Sequence, residues 1–243
     1  MNQAPRPIRN SDIYNYFDVG YFHGDGPTLQ MWSSRGCPFK CSFCTWPQSM
    51  TLNKVRYYSA DYIRHDIEKT LQKYPDFKAI YFDDDTFNMG DQHVLSVCEV
   101  LKDFKLPWSA MCRIDTLKES TWEAMAKSGC IGVKVGVESG SQRILDDVIH
   151  KNLNLNDVYH FVPIIRSLGI KVHGTFMYGN PTETPEEMKL TRDLIQKVGF
   201  DHIQESGAAP LAGTKLWNLN EKTHLLNETD GKRYFETLEQ SYL

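Results

Sequence analysis

The sequence predicts an α/β protein that folds as an incomplete (β/α)6 barrel. Strand-like and helix-like segments alternate six times between about residues 28 and 212, and such alternation produces a parallel sheet with helical crossovers. The chain has 243 residues, whereas eight such units usually need about 250 residues, so six units fit an open barrel. The predicted organisation is an irregular lead-in over residues 1–27, the barrel over 28–212 and a C-terminal helical tail over 213–243.

The strands are predicted from short apolar runs bounded by turn residues. The six predicted strands cover residues 28–32, 78–82, 108–114, 130–137, 171–177 and 201–205. Polar residues follow most of these runs. Since the carboxyl ends of parallel strands meet at one edge of a sheet, we expect the working side chains to lie there.

The intervening helices are predicted from apolar residues at helical spacing and from start and stop signals. Ser59 is the expected cap of the first helix, and residues 184–187 form a capping box with proline at the first helical position. Pro163 is expected to kink the helix that Asn156 or Asp157 caps, or to delay its start. The other helices are expected over residues 94–104, 118–127, 142–149, 214–218 and 232–243.

Composition narrows the functional classes. An apolar content of 41% and a charged content of 24% are ordinary for a globular domain. The net charge of −4 gives no overall basic footprint for nucleic acid. No apolar run approaches the roughly eighteen residues of a membrane span, and residues 1–9 lack the apolar stretch of a secretory signal. Because the six cysteines show no disulfide framework, we predict a soluble, cytoplasmic protein.

Three of the six cysteines lie in one loop directly after the first predicted strand. Cys37, Cys41 and Cys44 have the spacing C-x-x-x-C-x-x-C. Thiolates select zinc, copper or the iron of iron–sulfur clusters, and both a closed zinc site and a cubane cluster normally use four protein ligands. A loop with three thiols therefore leaves one metal position open for chemistry. The alternatives are a zinc loop that borrows a fourth ligand such as His23, or cysteines that merely pack.

The residue before the third cysteine is Phe43, so the loop reads C-x-x-x-C-x-aromatic-C. In this the chain resembles the radical S-adenosylmethionine superfamily, and the resemblance covers nearly the whole sequence. It implies an incomplete barrel of the radical SAM type. It also implies that the three cysteines bind a [4Fe–4S] cluster whose open iron is chelated by the methionyl group of S-adenosylmethionine, with Phe43 among the cofactor-binding residues.

The resemblance extends to carboxylates after two later strands. Asp84, the middle residue of 83–85, lies where family members contact the methionyl amino group, although the Gly-Gly-Glu version common elsewhere is absent. Glu138 and Ser139 belong to a Gly-x-Glu-Ser-Gly motif, which in the family lies near the ribose and the methionyl group. A solvated turn is the alternative for the aspartates. A lone carboxylate after a buried strand is costly unless it has a partner.

Arg113 and Gly174 complete the predicted cofactor-binding residues. Arg113 could clamp a carboxylate of the cofactor or of a substrate, or form a structural salt bridge. Gly174 lies near the end of the fifth strand, where the backbone could approach the adenine. Cys98 lies on an apolar helix face and is expected to pack, and Cys112 and Cys130 are not expected to bind a second cluster.

Within the superfamily, four motifs look closest to the cobalamin-dependent branch: residues 44–48, 83–87, 136–141 and 179–184. Enzymes of that branch carry a cobalamin-binding domain before the barrel, whereas 27 residues precede the first strand here. Residues 91–96 begin like their D-x-H-x-x-G motif, but serine replaces the glycine and the segment lies on a predicted helix. We interpret that match as coincidence.

These observations predict a radical S-adenosylmethionine enzyme. The resemblance implies that a one-electron donor of the flavodoxin or ferredoxin type reduces the cluster, and that S-adenosylmethionine is cleaved to methionine and a 5′-deoxyadenosyl radical. The radical would remove hydrogen from a small-molecule substrate at the barrel mouth. One alternative is a cobalamin-dependent methyltransferase whose cobalamin is supplied by another chain. The other is a non-catalytic iron–sulfur or zinc scaffold protein.

Overall fold

The computed structural model describes residues 1–2, 5–9, 26–46 and 53–223, without the side chains of 220–223. The predicted helix over 232–243 and the alternative zinc ligand His23 lie outside the described residues. In chain order the elements are β1 (Thr28–Met31), β2 (Ser34–Arg35), β3 (Arg56–Tyr57), α1 (Ala60–Lys73), β4 (Ala79–Phe82), α2 (Asp91–Phe104), β5 (Trp108–Cys112), α3 (Glu119–Lys127), β6 (Cys130–Glu138), a π-helical segment (Ile144–Val148), α4 (Leu155–Ser167), β7 (Lys171–Tyr178), α5 (Pro185–Val198), β8 (His202–Gly207) and α6 (Lys215–Thr223).

Six strands form one sheet in the order β1-β4-β5-β6-β7-β8. Every neighbouring pair in it is parallel, as expected when helices connect consecutive strands. The predicted incomplete (β/α)6 barrel is confirmed. A two-stranded antiparallel ribbon of β2 and β3 was not predicted; each of its strands has two residues, too few for a period-two pattern to be recognised.

The core lies between the sheet and the helices that cover its outer face. All four residues of β4 are buried, and β6 is buried at seven of its nine positions. Strands that are covered on both faces have nearly continuous apolar sequences. Cys98 is fully buried on the apolar face of α2, within this core, as predicted. The packed sheet thus fixes the strand ends that carry the polar residues.

Helix boundaries follow the capping residues for the most part. The Ser59 side chain accepts a hydrogen bond from the Tyr62 amide, and the capping box between Thr184 and Glu187 is present in full. In contrast, α4 begins at Leu155 with Asn154 as its cap and continues through Pro163. Pro163 lies on the exposed side of α4, so water can satisfy the carbonyl that proline leaves without a donor.

The described part of the predicted C-terminal tail packs on the barrel. α6 begins at Lys215, and Leu216 in its first turn is buried. The predicted helix over 142–149 is instead a π-helical segment over Ile144–Val148. No helix within the described residues combines the length and the apolar character needed to cross a membrane.

Candidate functional site

A cavity of about 340 Å³ opens at the carboxyl edge of the sheet, a volume typical of small-molecule sites. The cysteine loop forms one wall, and the ends of β4, β5 and β6 form the others. Of the predicted site residues, the cavity brings together Cys37, Cys41, Cys44, Phe43, Asp84, Arg113 and Glu138. Ser139 and Gly174 lie elsewhere.

The cysteine loop has no regular secondary structure. Hydrogen bonds to other segments of the chain hold it in place. The amide of Ser42 donates to the carbonyl of Ile149 at 2.7 Å, and the carbonyl of Ser42 accepts from the amide of Leu216 at 2.9 Å. The Thr86 hydroxyl lies 3.5 Å from the Cys37 Sγ. Three distant segments therefore contact the loop and fix its position.

Burial controls the protonation of two of the thiols. Desolvation raises the pKa of the Cys41 thiol, and it raises the pKa of Cys44 to about 11. The nearby Lys151 ammonium acts in the opposite direction on both thiols. Since metals bind the thiolate, loading this site must release protons.

The three thiols are suitable ligands for an iron–sulfur cluster. Such a cluster spreads its cysteine ligands around several irons, and Cys37, Cys41 and Cys44 line one cavity. Three thiols leave one iron of a cubane cluster without a protein ligand.

The three aspartates after β4 bind β1 and the segment that leads from it to Cys37; we call residues 83–85 the aspartate clamp. The Asp83 carboxylate accepts from the Gln30 side-chain amide at 2.6 Å. The Asp85 carboxylate accepts from the Gly36 amide at 2.6 Å. Consecutive carboxylates thus hold successive points of one chain segment, and the solvated-turn alternative is wrong for this motif.

Asp84, the centre of the aspartate clamp, is only 2% exposed. It accepts hydrogen bonds from the backbone amide and the hydroxyl of Ser33 at 3.0 and 2.9 Å, and from the same groups of Ser34 at 2.5 Å each. Burial raises the pKa of Asp84 to about 6, although these four hydrogen bonds act to lower it. Most of the hydrogen-bond acceptor sites of the Asp84 carboxylate are therefore occupied by donors of the protein itself.

His93, in the segment that begins like a cobalamin-binding motif, lies behind the aspartate clamp. Its Nε2 lies 3.0 Å from the Ser33 Oγ, and its ring packs against Tyr57 and Phe87. Burial lowers the pKa of His93 to about 4, so the imidazole is neutral near pH 7. His93 lies on α2, as the sequence predicts for residues 91–96.

Arg113 is occupied by protein groups. Its guanidinium forms a two-pronged ion pair with Asp115, at 2.9 and 2.7 Å, and donates to the carbonyls of Lys151 and Asn152. The guanidinium carbon also lies 3.6 Å from the centroid of the Phe39 ring in the cysteine loop. The structural salt bridge that the sequence left open is therefore present, and Arg113 supports the loop at the cavity wall.

Glu138 has a buried cationic partner that the sequence did not identify. The Lys151 Nζ donates to the Glu138 Oε1 at 2.8 Å, and both side chains are nearly inaccessible to solvent. The strand register shifts between Gly136 and Glu138. Glu138 also has a φ of +75°, a left-handed conformation that is costly for a residue other than glycine. This bulge at the end of β6 directs the carboxylate toward Lys151 and the cavity.

Gly136 is required by the same ion pair. A Cβ atom at this position would lie 2.2 Å from the Glu138 Oε1 and 2.8 Å from the Lys151 Nζ. Both atoms are held by their ion pair and by burial, so neither can move away cheaply. The ion pair therefore occupies the space that a side chain at Gly136 would need.

Ser139 and Gly174, two of the predicted cofactor-binding residues, are not among the residues that line the cavity. Ser139 is fully buried, accepts a hydrogen bond from the Ser141 amide and lies 3.5 Å from the Thr191 hydroxyl of α5. A Cβ atom at Gly174 would meet the rings of Phe176 and Phe200 at 2.9 Å. Both residues thus face the helical layer, and close packing explains their small side chains.

Sequence reasoning missed two lysines of the cavity. Lys151 lies in an irregular segment after the π-helical segment, where no pattern marks it. Lys134 lies on β6, and its Nζ donates to the side chain of Gln204 on β8 at 2.8 Å. The cost of an isolated buried carboxylate predicts that Glu138 has a cationic partner. Only the fold identifies that partner as Lys151.

Comparison with known proteins gives the chain a family and relatives. A model of the radical SAM superfamily matches residues 33–195. An uncharacterised methyltransferase of Pyrococcus horikoshii is 31% identical, over 96% of this chain and 52% of its own length. The cytidylyl-2-hydroxyethylphosphonate methyltransferase of Streptomyces wedmorensis is 32% identical, over 77% of this chain and 36% of its own length. The chain thus spans about half or less of these curated relatives.

Among solved structures, the fold is similar to that of the radical S-adenosylmethionine methyltransferase TsrM from Kitasatospora setae, which was determined with cobalamin and a [4Fe–4S] cluster bound. The TM-score is 0.72 at 19% sequence identity, over 81% of this chain and 37% of TsrM. This likeness independently supports the partial-barrel fold. The family match covers well over half of the sequence and includes the three cysteines that line the cavity, so the chain belongs to the radical S-adenosylmethionine superfamily.

Proposed function

We propose that this chain is the catalytic barrel of a cobalamin-dependent radical S-adenosylmethionine methyltransferase. The observation that carries the proposal is that two relatives above 30% identity, matched over 96% and 77% of the chain, are both methyltransferases. The sequence alone favours hydrogen abstraction over methyl transfer. These relatives instead favour methyl transfer.

The cofactors of the superfamily are a [4Fe–4S] cluster and S-adenosylmethionine, and the cavity suits both. Cys37, Cys41 and Cys44 would hold the cluster, since they supply three thiols on one wall. When bound, the cluster supplies the redox chemistry and S-adenosylmethionine supplies the methyl group. The chain itself positions these groups and shields them from water.

The other cavity residues divide between binding and positioning. We assign Glu138 to the ribose or methionyl group of S-adenosylmethionine, with Lys151 stabilising its charge. Arg113 supports the cysteine loop through Phe39, rather than clamping a carboxylate of the cofactor. Asp84 holds the approach to Cys37 through Ser33 and Ser34, and so acts on the cofactors indirectly.

Cobalamin would be held by protein outside residues 28–212, on the same polypeptide or on another one. We expect the chain of 243 residues to bind S-adenosylmethionine but not to retain cobalamin tightly. Equilibrium dialysis with hydroxocobalamin tests this expectation. Stoichiometric retention with micromolar or tighter affinity would instead place the cobalamin site on this chain.

The decisive experiment for methyl transfer is a product analysis with isotopically labelled S-adenosylmethionine. The protein is reconstituted anaerobically with iron and sulfide, reduced, and supplied with excess hydroxocobalamin. We expect S-adenosylhomocysteine to form only when cobalamin is present, and the labelled methyl group to leave S-adenosylmethionine. Formation of 5′-deoxyadenosine without S-adenosylhomocysteine would contradict methyl transfer and support hydrogen abstraction. The Cys41→Ala protein is the control for chemistry that does not need the cluster.

A further inference from the structure

One basic side chain of the cavity differs from the others in its contacts. The cavity is lined by four basic residues: Arg35, Arg113, Lys134 and Lys151. The last three donate hydrogen bonds to the side chains of Asp115, Gln204 and Glu138, respectively. The guanidinium of Arg35 donates to no acceptor within the described residues. Its N–H groups can therefore bind a ligand without first giving up a contact in the protein.

Arg35 is held in place by an aromatic ring. Its guanidinium carbon lies 4.2 Å from the centroid of the Trp32 ring, and both residues line the cavity. The ring attracts the cation electrostatically. Such a contact uses the flat face of the guanidinium, whereas hydrogen bonds to a ligand use its edge. Trp32 thus orients Arg35 without occupying its N–H donors.

The ribbon of β2 and β3 places a second arginine beside Arg35. Arg35 and Arg56 are direct partners in its antiparallel register, and Arg56 is exposed. Side chains that lie directly opposite each other in such a pair are close neighbours, and like charges there are destabilising. The ribbon therefore carries an electrostatic cost at this position, and an anion bound by Arg35 would relieve it.

Two carboxylates of the aspartate clamp also line the cavity near Arg35. The Asp83 carboxylate accepts from the Gln30 side chain, and the Asp85 carboxylate accepts from the Gly36 amide. Within the described residues, neither of them forms an ion pair with Arg35. Because these charges reduce the local positive potential, Arg35 must hold an anion by direct, two-pronged hydrogen bonds rather than by long-range attraction.

Arg35 lies away from the residue that we assign to the cofactor. Glu138 ends β6, whereas Arg35 belongs to the segment that follows β1, and β4 and β5 lie between those two strands in the sheet. Both residues nevertheless line the same cavity. A ligand held by Arg35 would therefore share the cavity with S-adenosylmethionine, as a methyl acceptor must.

We propose that Arg35 binds an oxyanion, a carboxylate or phosphoryl group, of the methyl acceptor. This inference deepens the proposed function and rests on it, since it names the chemical class of the acceptor. Arginine matches both kinds of oxyanion through two parallel N–H···O hydrogen bonds. The acceptor is thus an acid whose charged group lies against the ribbon of β2 and β3, beside the ring of Trp32.

The test measures binding without turnover. The protein is reconstituted anaerobically with iron and sulfide, left unreduced and saturated with S-adenosylmethionine. Isothermal titration at low ionic strength then measures the affinity for inorganic phosphate and, separately, for acetate. We expect one saturable site in wild type and an affinity about ten- to a hundredfold weaker in Arg35→Gln, the effect of losing hydrogen bonds to a charged group. Arg35→Lys keeps the charge but not the fork of donors, and its affinity should be intermediate.

The matched control is Arg56→Gln. This change removes the same type of side chain from the facing position of the ribbon, and Arg56 does not line the cavity. Its oxyanion affinity should stay within about twofold of wild type, because an exposed charge acts weakly through water. Iron content, cluster absorbance and melting temperature are compared first. If Arg35→Gln does not load iron, Arg35→Lys carries the comparison.

The proposal is overturned if wild type has no saturable site for either anion, if Arg35→Gln keeps the wild-type affinity, or if Arg56→Gln loses as much. The carboxylate of S-adenosylmethionine is a second source of the same chemistry. If Arg35→Gln weakens S-adenosylmethionine binding as much as phosphate binding, or if phosphate binds only in the absence of S-adenosylmethionine, Arg35 serves the cofactor and the proposal is also overturned. Failure of methyl transfer is a separate outcome, because no reductant, cobalamin or methyl acceptor is present in these titrations.

Discussion

The strand ends of β4 and β6 both carry acidic side chains at the cavity, but the two regions use them differently. After β4, the aspartate clamp binds Gln30 of β1 and the chain segment between β1 and Cys37. After β6, Glu138 binds no backbone amide in the described structure and instead pairs with the ammonium of Lys151. The β4 region therefore shapes the cysteine loop, whereas the β6 region sets the charge of the cavity.

The difference follows from where each carboxylate finds its donors. Ser33, Ser34 and Gly36 leave β1 directly beside β4, so their amides face the aspartate clamp. β6 is separated from β1 in the sheet order by two strands, β4 and β5, and its end is remote from those amides. A buried carboxylate there needs a cation, and Lys151 provides it. Strand-end carboxylates that look alike in sequence thus have different tasks in the fold.

The largest expected effect concerns the loop that both regions serve. Alanine at Cys37, Cys41 or Cys44 should abolish the brown chromophore and the cleavage of S-adenosylmethionine, because each change removes one of three thiol ligands. Iron content, absorbance and cleavage after anaerobic reconstitution are the measurements.

The matched controls for that prediction are the other three cysteines. Alanine at Cys98, Cys112 or Cys130 should leave cluster loading near normal, even though Cys112 lines the cavity. Full cleavage activity in the Cys41→Ala protein would remove the basis for assigning the loop to a cluster. A lost chromophore in Cys112→Ala would add a fourth thiol to the site.

The next effect belongs to the β6 region. Glu138→Gln should retain the cluster and weaken S-adenosylmethionine binding about ten- to a hundredfold, because a hydrogen bond to a charged group is worth about 1.5–3 kcal/mol. Isothermal titration of the loaded protein measures the affinity.

Because Glu138→Gln also leaves the Lys151 charge without its carboxylate, a second variant is needed. The double change Glu138→Gln with Lys151→Met removes the whole ion pair, and it should recover thermal stability without recovering affinity. Unchanged affinity in the single variant would make Glu138 a structural carboxylate, and the contrast between the two regions would disappear.

The sequence predicts this fold far better than it predicts these partners. All six sheet strands and the caps at Ser59 and Thr184 follow from local patterns, since apolar periodicity and capping chemistry act within a few residues. The contacts at the site join distant residues: Asp84 meets Ser33 and Ser34 across about fifty positions. No local pattern encodes such a contact, so the sequence located the carboxylates but not their partners.

Gly174 shows the same limit of prediction from sequence. A small residue near a strand end suggests that another group approaches its backbone closely, and the sequence predicts that this group is the adenine. The structure supplies the close approach with two core rings, Phe176 and Phe200. Glycine in a strand shows that something must come near the backbone, but which face of the sheet it serves depends on the assembled fold.

A smaller effect sharpens the description of the β4 region. Asp84→Ala should lower the free energy of unfolding, because it leaves four buried donors without their acceptor, and an unsatisfied buried group costs about 1–3 kcal/mol. Cluster loading should fall with stability, while the S-adenosylmethionine affinity of the loaded fraction stays near that of wild type. Denaturant unfolding and titration separate the two. A selective loss of affinity would instead return Asp84 to direct cofactor contact.

The pH dependence of the same site gives a check. Burial raises the pKa of Asp84 from 3.8 to about 6 in the folded protein, so the folded state binds a proton more tightly than the unfolded state between these values. The stabilising contribution of Asp84 is therefore full below about pH 4 and declines as pH rises through 6. Asp84→Asn removes this titration. Its free energy of unfolding, measured relative to that of wild type, should rise from pH 4.5 to pH 7, because only the wild type loses this contribution over that range; a constant difference would contradict the raised pKa.

The smallest expected effect concerns Glu187 on α5, near the end of β6. A change there should alter the stability of the protein slightly without altering the binding of S-adenosylmethionine in the cavity. Glu187 accepts hydrogen bonds from Arg143 and from Ser141, which braces the chain just after Glu138. The Arg143 guanidinium is the main cause that lowers the pKa of Glu187 to about 2, so its stabilising contribution is present above about pH 4.5 and is lost as pH falls toward 2. The pair is partly exposed, and Glu187→Gln should lower the melting temperature by only about 2 °C at pH 7. The affinity for S-adenosylmethionine should not change. A weakened affinity for S-adenosylmethionine in this variant would mean that the loss of the Glu187 contacts at the surface displaces Glu138 in the cavity. The surface contacts and the charge of the cavity would then be coupled.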